Sequence, residues 1–289
     1  MKAENTQLAI LLAIITTLLL SSLNALIKAL GHHIDPFALI FYRNLFSMLP
    51  LLLWLKRKNI WPQFTAIELK QHFPRAVLGI LSNICFIVAV QNMKLSDATA
   101  VSLSMPLFVS FLAPLLLKEK FNAERMGFVL AGFAGVLIIL KPQGEMDLLT
   151  SVIALANPIF YALAIINLRH LSKTLHVEII VFYYAFFSIV LTLPWAIWAG
   201  PKLDLNMIIT LIALGFIGVV MQYTQTKSLE LANASIIAPL NYLAIVWNTL
   251  LAIIFWHEWP NSMAWLGMAL VVGMGLALNF MARPKKIIV

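Results

Sequence analysis

The chain has 289 residues, of which 62% are hydrophobic and only 11% charged. A soluble globular domain carries about a quarter of its residues as charges, so composition excludes that class and points to a chain embedded in lipid. The net charge of +8 invites a nucleic-acid reading, but the basic residues sit in loops between apolar runs and have a simpler cause, so nucleic acid is not expected as a partner.

Met1 to Thr6 is short and polar, and the apolar run behind it is too long for the core of a signal peptide. It is expected to be an uncleaved first span. Ten runs reach the roughly 17 to 25 apolar residues that cross a hydrocarbon core. They are Gln7–Leu30, Pro36–Leu55, Arg75–Met93, Asp97–Leu117, Arg125–Leu140, Leu148–Leu168, Val177–Ala199, Met207–Lys227, Ala234–Phe255 and Met263–Ala282. They are continuously apolar rather than alternating, and lipid gives backbone groups no partners, so helices are required. The expected fold class is an all-α membrane protein of ten transmembrane helices.

Orientation comes from the loops. With a cytoplasmic N-terminus, the inner loops, tails and adjoining helix ends hold fifteen cations: Lys2, Lys56, Arg57, Lys58, Lys70, Arg75, Lys118, Lys120, Arg125, Arg169, Lys173, Lys227, Arg283, Lys285 and Lys286. The outer loops hold three, Lys94, Lys141 and Lys202. That asymmetry predicts cytoplasmic N- and C-termini in a cell inner membrane. The two cations left over, Lys28 and Arg43, lie inside spans.

The chain also repeats itself. Phe41-Tyr42-Arg43-Asn44-Leu45-Phe46-Ser47 returns as Phe182-Tyr183-Tyr184-Ala185-Phe186-Phe187-Ser188, and Lys28 meets Arg169 at the same offset. Leu78-Gly79 meets Leu214-Gly215, Leu95 meets Leu231, Asp97-Ala-Thr meets Asn233-Ala-Ser, and Glu119 meets Glu258. The expected organisation is a first five-helix repeat over 1–145 and a second over 146–289. An odd number of spans inverts the second copy, a build that gives alternating access around a site near the midplane.

The FYRNLF segment, the Asp97-Ala-Thr-Ala to Met-Pro-Leu-Phe run closing on Lys-Glu, and the Gly-rich helix behind it resemble the EamA branch of the drug/metabolite transporter superfamily. The resemblance covers both copies. It implies a ten-helix inner-membrane carrier whose first four helices in each half line the cavity, with the fifth and tenth packed outside. Two departures make the halves unequal: Tyr184 stands where the first copy has Arg43, and Ile245 where it has Pro106.

Arg43 lies about 10 Å into the second helix, where an unpaired charge costs roughly 2.5 kcal/mol or more. It reads either as an anchor for a carboxylate or phosphate, or as the partner of Asp35 or Asp97, or as a side chain snorkelling outward. Lys28 reads as snorkelling or as sharing one positive pocket with Arg43. Asn24, Asn83, Asn157, Asn241, Asn248 and Gln222 read as helix-to-helix hydrogen bonds or as substrate contacts. Asn241 and Tyr242, behind Pro239, are the foremost substrate candidates because a proline inside a span frees carbonyls; Pro106 and Pro114 do the same in the first half. Trp247, Tyr161, Tyr183, Tyr184 and Phe108 are candidates for an aromatic wall, with core packing as the alternative. Trp54, Trp61, Trp195, Trp198, Trp256 and Trp259 read as interfacial anchors.

No metal-ligand spacing, ATP-binding loop or nucleophile–base constellation stands out, so no metal, no cofactor and no catalytic residue is expected. Cys85 is the only cysteine. Glu119 and Glu258 read as exposed carboxylates at helix ends. The substrate-binding set is therefore Arg43, Lys28, Asn24, Asn83, Tyr161, Asn157, Gln222, Asn241, Tyr242 and Trp247. The expected function is secondary transport of an anionic or zwitterionic metabolite such as an amino acid. The alternatives are export of cationic or aromatic drug-like compounds and a membrane-embedded lipid-modifying enzyme. Expected partners are a small-molecule substrate and the lipid bilayer, with the protein a monomer or homodimer.

Overall fold

A computed structural model describes residues 6–117, 123–140, 148–171, 175–199, 203–231 and 237–281. The expectations for Glu119, for the loop cations Lys118 and Lys120, and for the Asn233-Ala-Ser echo lie outside those residues. The described chain is helical and, among these residues, has no strand. Its helices are α1 (Thr6–Leu30), α2 (Pro36–Lys58), α3 (Ala66–Asn92), α4 (Leu95–Ser102), α5 (Met105–Leu117), α6 (Ala123–Leu140), α7 (Leu148–Leu171), α8 (Val177–Ala199), α9 (Leu205–Leu231), α10 (Leu243–Trp256) and α11 (Ser262–Met281). Six of them, α1, α2, α3, α7, α8 and α9, are long and apolar enough to cross a bilayer. Four shorter apolar stretches accompany them: Leu95–Val109, Met126–Ile139, Leu240–Trp256 and Ser262–Leu278. Large apolar side chains such as Leu49, Leu148, Ile197 and Trp198 point outward, as suits a protein solvated by lipid rather than water. This is a multi-pass membrane protein.

Local chemistry sets the helix ends. Asp35 caps α2 by accepting from the Phe37 amide at 2.8 Å, and Pro36, whose missing N–H costs nothing at a first turn, follows it. Asn59 ends α2 in the left-handed region at φ 53°. Thr65 caps α3 through the Glu68 amide at 3.2 Å, so α3 starts nine residues before the expected Arg75 and runs through Pro74. Arg75 is therefore inside a helix and not at its start.

The expected fourth span is two helices, not one. The chain turns at Leu103 and Ser104, where the Ser104 amide bonds Val101 O at 3.1 Å and the Leu107 amide bonds Ser104 O at 2.8 Å. Pro106 has no N–H to continue the ladder, and its ring would collide with the carbonyl four residues back. Before α10 the chain makes a 3-10 turn over Ala238–Tyr242 that begins with Pro239.

Packing between helices is reciprocal. The principal partners are α1 with α9 and α3 with α7, α2 with α8, and α6 with α11; α2 also packs on α9 and α3 on α8. Glycines make the closest crossings. A Cβ on Gly215 of α9 would meet the Ser47 amide of α2 at 2.9 Å, and one on Gly79 of α3 would meet the Tyr184 ring of α8 at 2.8 Å. Gly135 of α6 and Gly267 of α11 face each other, a Cβ on the first lying 2.9 Å from the carbonyl oxygen of the second. Such contact lets backbones pack closely where lipid offers no hydrophobic drive.

Gly135→Val overpacks the α6–α11 crossing. We expect it to cost about 1–3 kcal/mol, read as a lower melting midpoint of the detergent-purified protein. Gly273→Ala, whose added methyl meets no neighbour within 4 Å, should leave the midpoint unchanged.

Candidate functional site

Arg43 lies two turns into α2 and donates from Nη2 to Asn83 Oδ1 on α3 at 3.3 Å. A guanidinium only donates, which turns the Asn83 oxygen toward it and its Nδ2 hydrogens elsewhere. Those go to Gly79 O and to the Tyr184 hydroxyl on α8, each at 2.9 Å. The Tyr184 ring in turn carries the Arg75 guanidinium, whose Cζ stands 5.2 Å from the ring centre. Gly79 makes this arrangement possible, because a Cβ there would lie 2.5 Å from Arg75 Nη1. Tyr161 of α7 is within electrostatic reach of both Arg75 and Tyr184. Four helices, α2, α3, α7 and α8, thus bring two arginines, two tyrosines and an asparagine together.

Neither aspartate suggested for Arg43 pairs with it. Asp35 is occupied in capping α2. Asp97 accepts from the Ser96 hydroxyl at 3.2 Å and lies in the field of Lys94, Glu258 and Lys28. Among the described residues no carboxylate forms an ion pair with Arg43 or Arg75. The buried Nε of Arg75 has no hydrogen-bond partner there either.

Lys28 does not share Arg43's surroundings. Its Nζ sits 2.7 Å from Glu258 Oε1, donates to Met93 O at 3.0 Å and lies 5.7 Å over the Trp256 ring. Glu258 also accepts from the Leu95 amide at 3.3 Å, so it is an embedded ion-pair partner rather than the exposed carboxylate expected. The cause is local. His257 takes a left-handed conformation at φ 55° to end α10, and that turn brings Glu258 back over the end of α1.

The other expected residues separate by surroundings. Asn157 of α7 donates to Ser82 O at 2.9 Å and Ser82 Oγ at 3.0 Å, a tie between α7 and α3. Trp247 donates to Thr17 Oγ1 at 3.2 Å and Asn248 to Ser21 Oγ at 3.0 Å, both joining α10 to α1. Tyr242 is buried with its hydroxyl against Gly275 of α11. Asn241 is exposed, Asn24 is buried in α1, and Gln222 is half-buried in α9. No single aromatic wall forms. Tyr183 stacks on His72 at 4.4 Å and donates to Glu68, Phe108 packs on Phe133 at 4.6 Å, and only Tyr161 and Tyr184 adjoin the arginines.

Sequence reasoning misses Arg75, because hydropathy starts the third span there and makes it a loop charge. The signal that could have found it is the capping pair Thr65 and Glu68, which starts the helix earlier. At the far end of α2, Lys58 pairs with Glu178 of α8 at 2.8 Å. Among the described residues no group of three His, Cys, Asp or Glu is placed to hold a metal ion.

The profile of the EamA-like transporter family matches residues 7–141 and again 148–281. The chain is 26% identical to the pseudopaline exporter CntI of Pseudomonas aeruginosa over 96% of each protein. It is also 26% identical to an S-adenosylmethionine uptake transporter of Rickettsia bellii, over 90% of each. A crystal structure of a protein 18% identical shares the fold, with a TM-score of 0.63 over 95% of this chain and 97% of that one.

The Lys28–Glu258 pair gives a second test of these contacts. Glu258→Gln leaves Lys28 charged and unpaired, and should cost on the order of 1–3 kcal/mol. The double variant Lys28→Gln with Glu258→Gln should be less destabilised than the two single effects combined. Strict additivity of melting shifts would show the pair to be uncoupled.

Proposed function

Because the chain belongs to the EamA-like transporter family, and so is a membrane transporter rather than an enzyme, we propose that it moves an anionic or zwitterionic metabolite by alternating access. The observation that carries this reading is the pair of arginines without carboxylate partners inside the helix bundle. Charge carried that deep into lipid is costly, and a ligand carboxylate offsets the cost each time it binds. Arg43, held by Asn83, is the anchor. Tyr161 stands within electrostatic reach of Arg75, and Lys28 acts through the Glu258 pair. A cationic substrate meets the wrong field here, and the lipid-modifying enzyme has no support from a family of transporters.

The architecture we propose is two inverted five-helix repeats, 1–145 and 146–289, counting α4 with α5 as one span. The reciprocal packing supports it. Exchanging α1, α2, α3, α4/α5 and α6 for α7, α8, α9, α10 and α11 turns the α1–α9 contact into α7–α3 and the α2–α9 contact into α8–α3. It leaves the α2–α8 and α6–α11 contacts as they are. The repeated glycines Gly79 and Gly215 serve matching crossings. With both termini cytoplasmic in an inner membrane, Lys28–Glu258 lies at the outer end and Lys58–Glu178 at the inner end. Each joins one half to the other, so rocking of the halves separates one pair at a time.

The test is thermal stability of the detergent-purified protein against amino acids, nucleosides, organic anions and cationic drugs. A ligand at about 100 times its dissociation constant stabilises by about 2.7 kcal/mol. Carboxylate-bearing metabolites should stabilise wild type and not Arg43→Gln. Stabilisation by cations that persists in Arg43→Gln would refute the anchor.

A further inference from the structure

Of the two arginines, Arg75 has the fewer partners: its buried Nε has no hydrogen bond among the described residues. Its guanidinium lies over the Tyr184 ring, presses against Gly79, and has Tyr161 in electrostatic reach. A flexible arginine near the cytoplasmic side of a helix would ordinarily snorkel toward water. Here the side chain instead follows the helix to the level of Gly79, where the absence of a Cβ leaves room. Nothing in that position neutralises it among the described residues. Arg43 reaches the same group of side chains at Asn83, four residues, or about 6 Å, further along the helix axis. Asn83 and Tyr184 bond each other, and each holds one guanidinium, Asn83 that of Arg43 and Tyr184 that of Arg75.

We infer that the site takes a ligand carrying two acidic groups at opposite ends, one on Arg43, which Asn83 orients, and the other on Arg75, which has Tyr161 in reach. The inference rests on the transport reading above and narrows its substrate class from an anion to a two-ended dianion. Two separated forks favour two separated carboxylates, because each guanidinium matches one planar acid. A compact dianion puts both charges on one fork and leaves the other unpaired.

The test measures binding to the full-length purified protein by thermal shift titration, with five probes: glutarate, its one-ended counterpart pentanoate, inorganic phosphate, L-glutamate and L-glutamine. Glutarate and glutamate should bind at least about tenfold tighter than pentanoate and glutamine, since each charge-assisted pair adds its own affinity. Arg75→Gln should abolish that preference by bringing glutarate and glutamate down to the affinities of pentanoate and glutamine. Arg75→Lys, which keeps the charge and loses the fork, should retain part of it and guards against a folding defect in the glutamine variant. Equal binding of glutarate and pentanoate by wild type overturns the two-ended ligand but leaves the Arg43 anchor standing, provided that Arg43→Gln still loses both. Phosphate binding as tight as glutarate overturns it too. Loss of no carboxylate binding in Arg43→Gln refutes the anchor itself, a separate failure.

Discussion

A bilayer supplies no hydrogen-bond partners, so polar atoms carried into this bundle are satisfied by the protein itself or go unsatisfied at a cost. That constraint orders the structure. The backbone answers it by being helical through most of the described chain. Side chains answer it in seams. Ser82 and Asn157 bind α3 to α7, Thr16 and Thr224 bind α1 to α9 at 2.8 Å, and Ser21, Asn248, Thr17 and Trp247 bind α1 to α10. Lys28 and Glu258 answer it with an ion pair whose side chains are 10% and 24% exposed. Against that background, arginines left with only Asn83 and a tyrosine face stand out. Their need for a negative partner is what a ligand can meet.

The same constraint links fold to motion. Closely packed glycine crossings such as Gly135 on Gly267 hold α6 to α11 with van der Waals contact. The polar seams are few and directional. One ion pair joins α1 to the turn behind α10 and another joins α2 to α8, and these are separable joints beside the shared apolar core. Breaking one end pair exposes a lysine and a glutamate to water, which solvates both, so opening costs less there than it would in the middle.

Much of this was legible in the sequence. Spans needed only length and apolarity, and Leu78-Gly79 and Leu214-Gly215 were legible as a repeat, though not as the helix crossings that Gly79 and Gly215 make. Arg43 and Asn83 announced themselves as polar residues in apolar runs, and the structure joins them. Arg75 escaped, because a charge beside Pro74 at the edge of an apolar run looks like a loop residue until helix capping at Thr65 is weighed. The aromatic wall failed for a different reason. Tyr183, Phe108 and Trp247 sit on separate helix faces, and which face meets which neighbour depends on helix rotation, a tertiary quantity that no local pattern encodes. Likewise Glu258 looked exposed because the turn at His257, which folds it back over Lys28, has no distinctive sequence.

The most direct measurement is counterflow in proteoliposomes loaded with unlabelled glutamate and given trace radiolabelled glutamate outside. The expected result is transient accumulation of label, competed by other carboxylate metabolites and not by a lipophilic cation such as tetraphenylphosphonium. Accumulation of labelled tetraphenylphosphonium instead, unaffected by carboxylates, would contradict a positively charged central site and an anionic cargo.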